Sequence, residues 1–182
     1  MMKKYNLLAL ILVMFLGLTS ISMAKSAKSL DKDANEAINK FIAENKGGDA
    51  FLVKAKAFLV FPDIKEAGMF IGGKYGEGVL RVQRTTKAYY SIKSASIGMQ
   101  MGAQQYAMII AFTSDAALNK FLLDDDWSTD VDGKIAMAEW NSKEELDDID
   151  FDDDMVAFVF DSTGMMGSLT LEGTKFKRIK PD

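Results

Sequence analysis

The chain has 182 residues, a net charge of −4, and neither cysteine nor histidine. The two absences exclude disulfides, a lipid-modified N-terminal cysteine, Ser-His-Asp and Cys-His nucleophile systems and the usual zinc sites. Much of enzymology is thereby removed, a metal site built only from oxygen ligands stays open, and the expectation is a binding module with no cofactor rather than an enzyme. The acidic balance gives no general attraction to nucleic acid or to an anionic membrane, so any basic surface must be a local patch.

The N-terminus reads as an export signal. Lys3 and Lys4 precede an unbroken apolar run at residues 7–18, and Ser22-Met23-Ala24 gives the small-x-small pattern that a signal peptidase cuts. The run is shorter than the roughly 20 residues a helix needs to span a bilayer, so cleavage after Ala24 is expected rather than a retained anchor. The expected organisation is a signal peptide at 1–24 and one domain at 25–182. The product would be periplasmic or secreted, soluble or peripherally associated with a membrane.

Residues 25–45 predict a helix, with Leu30, Ala34, Ala37, Ile38, Phe41 and Ile42 on one face. That face is narrow and the opposite one mixed in charge, which suits core packing better than a membrane surface. Gly47 and Gly48 end the helix, and Asp49 can cap a shorter one running to Lys54. A strand follows at 57–61, closed by Pro62. Between 68 and 112 glycines recur among β-favouring residues, predicting strands at 69–71, 79–82, 88–92 and 97–112, with a hairpin connection at 85–87. So many glycines imply bends, bulges or close backbone approach, as in a strongly curved sheet. Ser114 caps a short helix through 121–123, and further strands are read at 134–140, 155–160 and 169–171. No linker or repeat interrupts the pattern. The expected fold is α+β: a single domain with a curved, mainly antiparallel sheet or partial barrel and flanking helices.

Two motifs nearly fit and fail. GMFIGGKY at 68–75 approaches a phosphate-binding loop, but Tyr75 replaces the small hydroxyl that holds magnesium, and a strand-like stretch follows where a helix is required. STDVDG at 128–133, ending at Glu139, imitates a calcium loop whose first ligand is serine rather than aspartate. A turn leading into a strand accounts for the same residues. The acidic stretch at 144–154 reads as a solvated loop, open to a basic partner or a metal. It offers no pair of carboxylates in unlike environments for acid–base chemistry.

Several ordered motifs together resemble the SYLF-domain family. They are AKAFLVFP (55–62), KEAGMFIGGKYGEGVL (65–80), Tyr89-Tyr90, SIGMQMGAQ (96–104), ALNKF (117–121), Trp127 with Val131 and Asp132, AFVF (157–160), and the segment from Gly164 through LEGTK (171–175) to Arg178-Ile179. The resemblance implies a lipid-binding domain without catalysis, its ligands anionic phospholipids or phosphoinositide head groups. It spans nearly all of 25–182, with two departures: the acidic stretch before Met155 is unusually dense, and Asp161 stands where the pattern leads one to expect glycine. Actin, a partner of eukaryotic relatives, is not expected for an exported chain. The cations available for a lipid surface are Lys54 and Lys56, Lys65 and Lys74, and the C-terminal group Lys175, Lys177, Arg178 and Lys180. The alternative is an envelope interaction or structural protein that uses the acidic 144–154 stretch to hold a protein partner.

Overall fold

The computed structural model describes residues 25–138, 146, 152–164 and 170–182. Residues 1–24, read as an export signal, most of the acidic stretch at 144–154, and Leu169 lie outside these residues; Thr170 and Leu171, expected in a strand at 169–171, belong to none.

Helix α1 (Ala27–Glu44) begins at Ser26, whose side chain accepts from Ser29 N, and ends at Asn45, whose Nδ2 donates to Phe41 O at 2.7 Å. Its buried residues, Leu30, Ala34, Ala37 and Phe41, repeat at helical spacing. Helix α2 (Gly48–Lys54) starts after Gly47, which takes a left-handed φ of 75°. Asp49, expected as its cap, lies within its first turn. Helix α3 (Asp115–Leu123) is capped by Ser114 as read.

The strands read as four short pieces between 57 and 112 are two long ones. Strand β1 (Ala57–Val82) pairs antiparallel with β2 (Thr85–Phe112) from Val82↔Thr85 to Ala57↔Phe112. Pro62 does not end β1. It sits in a register shift between Phe61 and Ile64, where a residue without an N–H is tolerated. The connection is two residues, Gln83 and Arg84, rather than 85–87. Both have positive φ (49° and 65°), which matches the right-handed twist of the flanking strands.

The remaining strands are β3 (Asp126–Ser128), β4 (Ala136–Met137), β5 (Met155–Gly164) and β6 (Lys175–Ile179). Strand β4 is two residues long where 134–140 was expected. The far edge of β2 is shared, its first half by β6 and its second by β5. Strand β3 adds to β6, and β4 pairs parallel to β5. The result is the expected α+β fold, a mainly antiparallel sheet curled into a half-barrel with helices against it.

Two glycines make the curl possible. Gly102, beside the shift at Gly68, has φ +143°, which a side chain disfavours. At Gly78, the Val60 carbonyl of the same strand passes 2.4 Å from where a Cβ would sit. Strand β1 therefore returns upon itself, and only glycine admits the approach.

Curling creates two cores. The inner one gathers alternate residues, Tyr106, Met108, Ile110 and Phe112 of β2, around Phe121, Trp127 and Phe176. The intervening Ala107, Ile109 and Ala111 face outward beneath α1 and α2, beside Val156 and Phe158. Burial on both sides explains why 106–112 reads as an unbroken apolar run. Phe41 anchors α1 there, edge-on to Phe158 at 5.4 Å, a contribution of roughly 1.5–3 kcal/mol from burial alone.

Candidate functional site: a lysine stripe on the outer sheet face

Strand alternation places the cations. Ile92 and Phe176 are register partners and both are buried in the inner core. Their neighbours Lys93 and Lys175, also register partners, therefore stand together on the outer face. Lys177 lies on the same face, opposite Ser91 on β2 and Asp126 on β3. All three lysines are exposed, and among the described residues no carboxylate lies within the 4.0 Å reach of an ion pair to any of them.

Tyr75 of β1 is the register partner of Lys93, whose Nζ sits 5.5 Å from the ring centroid. Its hydroxyl donates to Glu77 Oε1 at 2.6 Å, and burial, with that bond, pushes its pKa up to about 12. Tyr75 remains 38% exposed, an aromatic ring beside a row of cations.

The other expected cations go elsewhere. Lys54 is exposed in the last turn of α2, and Lys56 pairs with Asp115 at 3.3 Å. Lys65 is exposed on β1, 3.6 Å from Asp63. Lys74 is buried and donates from Nζ to the Thr170 carbonyl at 2.6 Å, and desolvation lowers its pKa. Arg178 pairs with Asp125 at 3.6 Å on the opposite face from Lys177, and Lys180 is exposed just beyond β6. The structure thus brings together Lys175 and Lys177 and adds Lys93, which sequence reasoning missed. Nothing in the local sequence marks Lys93; only the register between β2 and β6 sets it beside Lys175.

The two near-motifs resolve into local structure. Residues 68–75 lie within β1 and open no helix. In the calcium-like segment, Asp132 Oδ2 accepts from Ser128 N and Oγ, and Asp130 Oδ2 accepts from Gly173 N. These bonds build the turn that leaves β3. Among the described residues, no group of three or more acidic side chains is placed to hold a metal, and no helix is long and apolar enough to cross a membrane.

A family model described as "Las17-binding protein actin regulator" (Ysc84) matches residues 93–180. Those residues match the SYLF family, the one that the sequence motifs resemble. That SYLF match opens at Lys93 and closes at Lys180, so it contains all three lysines of the stripe. The family is of the lipid-binding and actin-regulator type. No curated protein matches the chain. Asp161, where the SYLF pattern suggests glycine, has φ +51°, and its carboxylate pairs with Lys40 of α1. The glycine expectation was therefore a statement about backbone conformation, which aspartate meets at some cost.

Proposed function

We propose that this is an exported, non-enzymatic SYLF module that docks reversibly on anionic phospholipid surfaces, phosphoinositide head groups included, through the outer stripe of Lys93, Lys175 and Lys177. The observation that carries the proposal is the pairing of Lys93 with Lys175. Like charges directly opposite each other on neighbouring strands are destabilising, and here neither lysine makes an ion pair with a described carboxylate. A layer of lipid phosphates would relieve them, each lysine gaining roughly 1 kcal/mol near an anionic bilayer. Tyr75 adds an amphipathic ring suited to the boundary between head groups and acyl chains. The leader at 1–24 would deliver the protein to the periplasm or beyond, where it meets membranes without a covalent anchor.

Vesicle flotation tests the proposal, with phosphatidylcholine alone and with phosphatidylcholine containing phosphatidylglycerol. The protein should float with the second and not the first. Changing Lys93, Lys175 and Lys177 together to Gln should weaken binding at least about tenfold, a conservative figure for three lysines after screening. Equal flotation of the triple variant and the parent would refute the assignment.

A further inference from the structure

A second site lies away from the stripe, where α1, α2 and the turn between β1 and β2 meet around an open cleft of about 350 Å³, at the small end of the roughly 300–1,000 Å³ range of ligand pockets. Its floor is apolar, from Ile42, Leu52 and Phe58, and its polar wall is Asn35, Arg81 and Arg84. Arg81 is 91% buried, an unusual state for a guanidinium. Its Nη2 donates to Asn35 Oδ1 at 2.9 Å and pairs with Asp31 Oδ1 at 3.2 Å. Its Nη1 only reaches the Arg84 carbonyl at 3.4 Å, and its buried Nε has no partner among the described residues. Asp31 is meanwhile shared with Thr86 and Tyr89. A buried arginine whose guanidinium is only partly satisfied thus lines the cleft, a costly state for a buried polar group.

Arg84 stands at the mouth, paired with Asp49. Both side chains are more than half exposed, so the pair adds little stability and an incoming anion can displace it.

We infer that this cleft binds a small organic oxyanion, a carboxylate or phosphate monoester on a short apolar body, its head taken by Arg81 and Arg84 and its body laid on Ile42, Leu52 and Phe58. Asp49 is the built-in competitor that such a ligand must displace from Arg84. The site is separate from the lysine stripe and does not depend on the membrane reading.

Titration calorimetry on the purified protein tests this with octyl phosphate below its micelle concentration, against inorganic phosphate and octyl glucoside. Octyl phosphate should bind saturably, and more tightly than either comparator. Arg84→Gln should weaken it about tenfold, the scale of one charge-assisted hydrogen bond. Asp49→Asn should tighten it severalfold by removing the competitor, a gain that no merely structural role for Asp49 would produce. Asn39→Trp, at the rim, should block it; the first two variants alter exposed side chains and keep the test decisive if the third misfolds. The inference is overturned if octyl phosphate does not bind, if phosphate or octyl glucoside binds equally well, or if Arg84→Gln and Asp49→Asn leave the affinity unchanged. Octyl phosphate binding that survives Lys93, Lys175 and Lys177→Gln, while flotation is lost, would separate this site from the membrane surface.

Discussion

Lys74 and Gly78 lie four residues apart on β1 and are constrained for opposite reasons. Lys74 is a cation held in the interior by one carbonyl, with its pKa lowered by desolvation. The unfolded chain therefore holds that proton more tightly than the folded one, and stability should rise with pH across the alkaline range below the ordinary lysine value of 10.5. Lys74→Met should flatten that rise and leave stability at neutral pH equal or higher, since a buried charge exchanged for an apolar side chain of similar size is often neutral or favourable. Urea unfolding at a series of pH values below 10 checks this. The upper bound matters because Tyr75, raised to about 12, opposes the trend once free tyrosine begins to ionise. Gly78 is constrained by space alone. Its missing Cβ would lie 2.4 Å from the Val60 carbonyl and 2.5 Å from the Phe61 ring, so Gly78→Ala should cost about 1–3 kcal/mol, the scale of overpacking, read as a lower urea midpoint.

At the scale of elements, helices were more legible than strands. The spacing of Leu30, Ala34, Ala37 and Phe41 and the cap at Ser114 gave α1 and α3 almost to the residue. The strands between 57 and 112 were recognised but divided too often. Pro62 and the glycines read as stops, whereas in a curled hairpin they are places where the strand bends and continues. The turn was displaced because neither Gln83 nor Arg84 announces a left-handed backbone. Gln83→Asn, better suited to φ +49°, should recover part of the roughly 1–2 kcal/mol such a conformation costs and raise the melting temperature by a few degrees. The candidate site was half legible for a related reason. Lys175 and Lys177 stand out in a basic tail, while Lys93 acquires meaning only through a register that joins segments far apart in sequence.

For the whole molecule, the net charge of −4 and the stripe pull in opposite directions. Attraction between the lysines and an anionic bilayer acts within a Debye length of about 8–10 Å at physiological salt, so the stripe can act locally while the acidic remainder is held off. Flotation with phosphatidylglycerol vesicles should therefore weaken steeply as salt is raised. Salt-insensitive flotation would point instead to insertion of apolar surface. The β1–β2 hairpin also binds the SYLF segment to what precedes it. The family match starts within β2, yet β1 lines that strand over its full length, so residues 93–180 alone would leave a long edge of backbone groups unpaired.

The same hairpin fixes an order of assembly. Val82 and Thr85 meet across two residues, and each further pair closes a larger loop until Ala57 reaches Phe112; the entropy of closure grows along that series. Zippering should start at Gln83 and Arg84 and run outward, with the amides near Ala57 and Phe112 the last to gain protection when refolding is followed by pulsed deuterium labelling.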